Sequence, residues 1–214
     1  MRQRDLVDKR VVCYDLETTG FSPETSSQAI QVATMTIVNN EVVDRQQWFV
    51  ACPTPLPEKI VELTGITDQD LVGGATLYET AQRLLAVFQP GPDLVLVGHN
   101  ILGFDNRFVA CLWRSQLDHH YDLAPHCYDT LAWTRADRHN LFVPSIPNCA
   151  WQKSILLHRL SGPKCDLRSA CEYYGVEANG FHQAHNDVEA AWGIAQVQMQ
   201  RREVVPAPCL GERT

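Results

Sequence analysis

The chain has 214 residues and a formal net charge of −7, with 45% hydrophobic and 20% charged residues. These proportions are typical of a globular protein with a substantial core and exclude an intrinsically disordered chain. We expect one domain over residues 1–203 and a flexible tail over residues 204–214, which carry two prolines. No apolar run reaches transmembrane length and no signal peptide opens the sequence, so we expect a cytoplasmic protein with no membrane partner.

The first part of the chain shows the alternation of polar and apolar residues that is typical of β-strands. Three strands are predicted, over residues 11–17, 28–38 and 41–50. Asn39 and Asn40 form a turn signal between the last two, so we expect the three strands to make an antiparallel meander. Apolar residues at helical spacing then predict helices over residues 58–63 and 77–88.

The second half of the chain mixes strands with helices, as α/β folds do. Leu94 to Val97 is a short apolar run, which predicts a buried parallel strand. A short strand is predicted to begin at Cys127 and to lead into a helix through Thr134. Further helices are predicted over residues 104–117, over residues 166–174 and from Asn186 onward. The first of these is expected to turn four side chains inward: Phe104, Phe108, Cys111 and Leu112.

Capping signals mark the ends of the last two helices. Asp166 has the position of an N-cap and Gly175 that of a C-terminal stop. Asn186 and Glu189 have the spacing of a capping box, which places the start of the last helix near Asn186.

Residues 121–165 carry few regular signals, so we expect irregular structure that covers one side of a site. The part over residues 135–164 is long and rich in proline, and it could shape substrate choice, bind a partner or do neither. Its loosely spaced histidines and cysteines leave a structural zinc open: His139, Cys149, His158 and Cys165. Three other cysteines lie in apolar segments and are expected in the core: Cys13, Cys111 and Cys171.

Four acidic side chains fall at strand ends or helix starts. Asp15 and Glu17 end the first strand, and side chains two residues apart on a strand point to the same face. Asp105 and Asp187 lie in the first turns of two helices, where the helix dipole favours an anion. A lone Asp-x-Glu is more often a solvated turn, but converging carboxylates repel one another unless a cation lies between them. Hard oxygen ligands favour Mg²⁺ or Mn²⁺.

Four carboxylates can hold two metal ions, a set that suits hydrolysis of a phosphodiester by an activated water molecule. His182 precedes Asp187 and is the candidate general base, because the pKa of a histidine can be set near neutral. The acidic net charge does not exclude a nucleic-acid substrate, since bound metal offsets the charge of such carboxylates.

Three motifs, in order along the chain, resemble those of the DEDDh (DnaQ-like) 3′→5′ exonuclease family. They are Asp15-Leu-Glu17-Thr-Thr-Gly20, Gly98-His-Asn100 with Phe104-Asp105, and His182 with Asp187. Leu63-Thr-Gly65-Ile-Thr67 also resembles a segment of the epsilon-like branch of this family. The family includes the epsilon proofreading subunit of bacterial DNA polymerase III and ribonuclease T. The resemblance extends from residue 10 to about residue 200.

The resemblance implies an α/β, ribonuclease H-like fold. Its mixed five-stranded sheet would have antiparallel strands one to three, then parallel strands, and would be flanked by helices. It also implies 3′→5′ exonuclease activity with two Mg²⁺ or Mn²⁺ ions. The residues that match the metal-binding acids are Asp15, Glu17, Asp105 and Asp187, and His182 matches the general base. Substrate contacts would come from Thr18, Gly20, Phe21, Leu63 and Asn100.

Several residues allow a second interpretation. His185 could replace His182 as the base or pair with it on a metal, although the family spacing favours His182. His99 and Asp129 lie near the motifs, and we interpret both as structural.

The sequence leaves the substrate open. Our first hypothesis is that the protein acts on single-stranded DNA 3′ ends, and the alternative is that it acts on RNA 3′ ends. The sequence does not separate the two, because recognition of a 2′-hydroxyl can come from backbone groups or from shape. A catalytically idle module that binds nucleic acid or a polymerase is the hypothesis from another class. A polymerase or other DNA-processing partner also stays open, and Phe21 and Leu63 could be core residues rather than substrate contacts.

Overall fold

The computed structural model describes residues 6, 8–144, 147–178 and 180–204. Within these residues the strands are β1 Arg10–Thr18, β2 Ala29–Val38, β3 Glu41–Phe49, β4 Leu94–Gly98 and β5 Cys127–Asp129. The helices are α1 Glu58–Thr64, α2 Leu77–Phe88, α3 Asp105–Leu117, α4 Thr130–Arg138, α5 Cys149–Leu157, α6 Leu167–Tyr174 and α7 Ala184–Val204. A 3₁₀ turn, Ala124–His126, leads into β5.

The five strands form one mixed sheet in the order β3-β2-β1-β4-β5. β1 pairs antiparallel with β2, and β2 pairs antiparallel with β3. β4 pairs parallel with β1 and with β5, and all five of its residues are buried. The predicted antiparallel meander followed by parallel strands is therefore confirmed.

Helices cover both faces of the sheet, and β1 contributes alternate side chains to each layer. Tyr14 and Leu16 pack in the cluster that α2 and α3 complete. Val11 and Cys13 pack in the second cluster, with Val188 and other residues of α7. Because side chains alternate along a strand, Asp15 and Glu17 continue the face of β1 that α7 covers.

The start of α7 differs from the prediction. α7 begins at Ala184, so Asn186 lies inside its first turn and the expected capping box with Glu189 is wrong. The backbone N–H groups of Asn186 and Asp187 both donate to the carbonyl of Gln183. The turn thus closes on Gln183, which leaves no capping role for Asn186. The caps predicted for α6, Asp166 and Gly175, are confirmed.

Residues 121–165 are more regular than predicted. α4 continues to Arg138, and α5 adds a helix that the prolines around it concealed. Gln152 of α5 is buried and pairs with the backbone of β5, donating to the carbonyl of Cys127 at 2.8 Å and accepting from the N–H of Asp129 at 2.7 Å. α5 therefore covers the exposed edge of the sheet, as an additional strand would.

The inward face of α3 is shifted from the expected one. Phe108, Val109 and Trp113 are buried, and the indole N–H of Trp113 donates to the carbonyl of Ala81 in α2 at 3.1 Å. Cys111 is only partly buried, so its assignment to the core is wrong. The other two cysteines expected in the core, Cys13 and Cys171, are buried as predicted.

The four residues considered for zinc do not gather into a site. The imidazole of His139 lies 3.9 Å from the Cys165 thiol. His158 instead contacts the carbonyl of Ser154. Throughout the described ranges, no set of three ligands forms around these residues.

Within the part of the chain that the structure describes, no helix combines the length and the apolarity that a membrane crossing requires. The predicted tail falls largely outside the described residues, since α7 extends to Val204 and residues 205–214 follow it.

Candidate active site

β1 brings Asp15 and Glu17 to the end of the sheet. Glu17 pairs with Gln31 of β2, but Thr18 pairs with Ala29, so one residue of β2 bulges at this point. A bulge bends a strand and ends its regular pairing, which opens the sheet beside the two acids. Glu17 is 9% exposed, so its carboxylate lies in a largely dry environment.

Asp105 approaches the same end of β1 from α3. Its side chain is 2% exposed, and one carboxylate oxygen accepts a hydrogen bond from the backbone N–H of Leu16 at 3.1 Å. Because Leu16 lies between Asp15 and Glu17 in β1, this bond fixes the start of α3 against the strand that carries the other two acids.

The loop between β4 and α3 is held by Asp129 at the end of β5. The Asp129 carboxylate accepts from the N–H groups of Asn100 and Leu102, at 3.0 and 2.9 Å. It also caps α4 through the N–H groups of Leu131 and Ala132. Its interpretation as structural agrees with this geometry. Its position near the motifs does not indicate the contacts to the loop.

His99 also has a structural environment. Its ring nitrogens contact the Thr130 hydroxyl and the carbonyl of Cys165, each at 2.9 Å. Burial lowers the pKa of His99 to about 4, against the opposing effect of its bond to the Cys165 carbonyl. The ring is therefore neutral at physiological pH and links the loop to the start of α6.

Asp187 and His182 complete the site from the start of α7. The backbone N–H of His182 donates to one carboxylate oxygen of Asp187 at 3.2 Å, and His182 has a φ of 64°. Ligand atoms of Glu17, His182 and Asp187 all lie within 4.8 Å of one another. His185 is exposed and lies outside this group.

Burial and the charges of neighbouring acids raise the pKa of two members of the set, Asp15 and Glu17. Burial, followed by the charges of Asp105, Glu17 and Asp187, raises the pKa of Asp15 well above its usual value. Burial and the charges of Asp187 and Asp105 raise the pKa of Glu17 to about 8. These shifts indicate that four carboxyl groups share one site.

Backbone hydrogen bonds limit the rise in the pKa of the other two acids, Asp105 and Asp187. Burial raises the pKa of Asp105 to about 7 although the N–H of Leu16 stabilises its charge. Burial raises the pKa of Asp187 to about 6, with the N–H and charge of His182 and the charge of His185 opposing the rise. In the absence of a cation, therefore, the site binds protons at neutral pH.

The donor set fits a divalent cation. One carboxylate oxygen of Asp187 is buried and has no hydrogen-bond partner among the described residues. A buried carboxylate oxygen without a partner is costly unless a cation or water supplies one. With Glu17 and His182 nearby and two more acids coupled by charge, the oxygen-rich set matches hard cations such as Mg²⁺ or Mn²⁺.

The residues predicted to contact substrate lie at the end of β1 and just after it, in α1, and in the loop that follows β4. The Thr18 hydroxyl donates to the carbonyl of Gly20 at 2.7 Å, and a Cβ at Gly20 would lie 2.7 Å from the Ser27 hydroxyl. Phe21 is 77% exposed and Leu63 is 49% exposed, so neither is a core residue. Their role in binding stays a prediction. Asn100 has a φ of 71°, and its side chain lies beside Gly103 in the loop.

Comparison with known proteins gives one family. A family model described as RNase_T, an exonuclease, matches residues 12–195. The PolC-type DNA polymerase III of Bacillus subtilis (strain 168) is 28% identical over 187 residues, which are 87% of this chain and 11% of that protein. The 3′-5′ exonuclease DinG of the same organism is 34% identical over 101 residues, 47% of this chain and 10% of that protein. The chain thus spans only about a tenth of the length of these relatives.

Solved structures share the fold. Exonuclease I of E. coli, in complex with a dT13 oligonucleotide, superposes with a TM-score of 0.73 and 19% identity. The match covers 91% of this chain and 42% of that chain. The shared mixed sheet with flanking helices is the ribonuclease H-like fold that the sequence motifs imply.

Proposed function

The chain belongs to the exonuclease family, and from this premise we propose that it hydrolyses nucleic acids from their 3′ ends, with single-stranded DNA as the preferred substrate. The observation that carries this proposal is that ligand atoms of Glu17, His182 and Asp187 lie within 4.8 Å of one another, near Asp15, whose pKa is raised by burial and by the charges of Asp105 and the other two acids. All five residues belong to the motifs that resemble DnaQ-like 3′→5′ exonucleases.

Asp15, Glu17, Asp105 and Asp187 would hold two divalent ions, Mg²⁺ or Mn²⁺. Ions bound there would stabilise the charge that develops on the transferring phosphoryl group and favour ionisation of the attacking water. The protein's own contribution is to hold the four carboxylates on three elements, β1, α3 and α7, so that the charges of the other three act on Asp15 before substrate arrives.

His182 is the proposed general base. It is exposed, so a water molecule can reach its ring, and its backbone is joined to Asp187 by the hydrogen bond to the carboxylate. That bond keeps the base at a fixed place relative to an acid of the site. General bases of this kind contribute roughly two to four powers of ten to the rate.

The exposed side chains of Phe21 and Leu63 are proposed to receive the terminal nucleotides. The Phe21 ring lies 6.1 Å from that of Phe104, between centroids, so it extends an aromatic surface from the start of α3. Stacking of a base on an aromatic ring contributes roughly 1–3 kcal/mol and tolerates any base. Such contacts suit an enzyme that degrades ends without sequence preference.

Single-stranded DNA is favoured as the substrate because the structural neighbour, Exonuclease I, was solved with a dT13 oligonucleotide. The PolC-type relatives are DNA polymerases, which supports the proposal of a polymerase partner, although this chain spans only 11% of the Bacillus subtilis protein. The cytoplasmic location expected from the sequence stays a prediction.

The test is a cleavage experiment with matched substrates. Single-stranded DNA, duplex DNA and RNA of one sequence, each labelled at the 5′ end, are incubated with the protein and Mg²⁺ or EDTA. We expect a ladder that shortens from the 3′ end, fastest on single-stranded DNA, and that EDTA or Asp15→Asn abolishes. A faster ladder on RNA would move the function to RNA 3′ ends. Binding without cleavage of any substrate would favour the idle module.

A further inference from the structure

We infer that Phe181 and Arg168 are positioning residues that hold the general base His182 in place. Phe181 immediately precedes His182, and Arg168 lies in the first turn of α6. Neither residue belongs to the three motifs, and neither lies in the group of metal-ligating atoms. The inference rests on the proposed function and adds to it two residues outside the acidic site.

His182 is weakly held by its own contacts. It is exposed, and within the described residues its ring makes no hydrogen bond, so that only its backbone N–H is joined to Asp187. Its φ of 64° lies in the left-handed region, which a non-glycine residue keeps only where its surroundings enforce it. Gly180, two residues earlier, has a φ of 71°, so the chain turns sharply on both sides of Phe181.

Phe181 is the anchor between these two turns. Its ring packs against the apolar cluster between α6 and α7, which includes Cys171 and Ile194. The guanidinium carbon of Arg168 lies over the ring, 4.7 Å from its centroid, a distance typical of a cation–π contact. The segment that carries His182 is thereby fixed to α6 by a side chain, in addition to the backbone bond to Asp187.

The surroundings explain why Arg168 matters. A surface cavity of about 440 Å³ lies beside the anchor and is lined by Arg168, Phe181 and residues of the segment between them, including Val176 and Glu177. If the Arg168 guanidinium is removed, the Phe181 ring can move into this cavity. Because His182 is the next residue, movement of the ring would displace the imidazole, and displacements of about 1 Å can cost roughly a hundredfold in rate.

We expect separate effects on turnover and on binding. Phe181→Ala should lower kcat by roughly ten- to a hundredfold and Arg168→Ala by roughly three- to tenfold, within the range that a general base contributes. The KM for single-stranded DNA and the affinity for Mg²⁺, measured by calorimetry, should each stay within about twofold, because the four acids are untouched. Phe181→Tyr and Arg168→Lys keep the ring and the cation, and should restore most of kcat.

Arg201 supplies a matched control. Its guanidinium carbon lies 4.7 Å from the centroid of the Tyr174 ring, the same distance as in the Arg168 contact, but in the last turn of α7. Arg201→Ala should therefore leave kcat unchanged. In a Phe181→Ala background, Arg168→Ala should cause no further loss, since the two residues act through one contact.

Each other outcome overturns the inference. A higher KM with unchanged kcat for Arg168→Ala would mean that Arg168 contacts substrate directly. Equal losses of kcat for Arg201→Ala and Arg168→Ala would mean a general effect on folding. Arg168 is exposed, so its variants test the inference even if Phe181→Ala does not fold. If the wild type cleaves single-stranded DNA and the Phe181 and Arg168 variants are as active as it is, only this inference is wrong. If the wild type itself is inactive, the proposed function is wrong and the inference falls with it.

Discussion

His182 and His185 lie three residues apart, and the structure gives them different surroundings. A ring nitrogen of His182 lies within 4.8 Å of carboxylate oxygens of Glu17 and Asp187, and its backbone is bonded to Asp187. His185 lies outside that group of atoms and acts on Asp187 through its charge, which opposes the rise in the pKa of Asp187 caused by burial. The geometry therefore supports the choice of base that the family spacing predicts, although that role stays a prediction.

Replacing each histidine by alanine separates the two roles. His182→Ala should lower the single-turnover rate on single-stranded DNA by roughly two to four powers of ten, the contribution of a general base. His185→Ala should change that rate by less than about threefold, because it removes only a neighbouring charge. Rates are measured with saturating Mg²⁺, so that a change in metal affinity does not enter.

The two variants control for each other, since both remove one exposed imidazole near the start of α7. Equal losses would show that the base is not His182 alone. A larger loss for His185→Ala would transfer the role to that residue.

At the scale of whole elements, α5 is a helix where the sequence predicts irregular structure. β5 has only three residues and would be a bare sheet edge without a cover. Gln152 supplies both a donor and an acceptor to the backbone of this strand. Since β5 ends in Asp129, which holds the loop before α3, the edge contact also supports the site.

Gln152→Ala should destabilise the protein. The substitution leaves the N–H of Asp129 and the carbonyl of Cys127 buried without partners, at a cost of about 1–3 kcal/mol. For a chain of this length, at about 2–4 °C per kcal/mol, the melting temperature should fall by roughly 2–12 °C. Lys153→Ala, which changes the exposed neighbour in the same helix, is the control and should have little effect in the same thermal melts. Equal melting temperatures for the two variants would show that α5 does not stabilise the edge.

The elements that local patterns define could be predicted from the sequence. Apolar runs predict β1 and β4. The four acids fall at strand or helix ends, and the structure brings these acids together. α5 could not be predicted, because the reason for its place is a bond between Gln152 and a strand far away in the chain. Helical spacing predicts an apolar stripe on α3 but not the exact rotation of the helix about its axis. Cys111 was therefore expected in the core, whereas the structure buries Trp113.

The same limit applies to the surroundings of the base. Arg168 and Phe181 carry no motif, and only the packing of α6 beside α7 brings them together. A distance pattern within the sequence cannot reveal a contact that two separate elements create. The start of α7 at Ala184 likewise follows from the bonds to Gln183 rather than from the capping pattern at Asn186.

At the scale of the molecule, the fold gathers carboxyl groups from both ends of the sequence at one end of the sheet. Without bound metal, the burial and repulsion of these groups lower the stability of the folded protein when they are ionised. The pKa of Glu17 is raised to about 8, that of Asp105 to about 7 and that of Asp187 to about 6. In the unfolded chain these groups titrate near pH 4. Between about pH 4 and pH 8 the folded protein therefore holds more protons than the unfolded chain.

Stability in EDTA should consequently fall as pH rises. A carboxyl group with a raised pKa contributes its stabilisation fully below the unfolded pKa and loses it as pH passes the folded pKa. Between pH 6 and pH 8 we expect the melting temperature in EDTA to fall by roughly 5–10 °C, from the shifts of Glu17 and Asp105. Saturating Mg²⁺ should raise the melting temperature most at pH 8, where the carboxylates are ionised and a bound cation offsets their repulsion.

A Glu17→Gln variant distinguishes this origin from a general effect of pH. It removes a carboxyl whose pKa burial and the charges of Asp187 and Asp105 raise to about 8, so in EDTA its melting temperature should fall less between pH 6 and pH 8 than that of the wild type. Glu58→Gln, which neutralises an exposed acid in the first turn of α1, should follow the wild type. An identical decline in all three proteins would show that the clustered acids do not govern the stability of the metal-free fold. A smaller stabilisation by Mg²⁺ in Glu17→Gln would instead tie the cation to the same carboxyl groups.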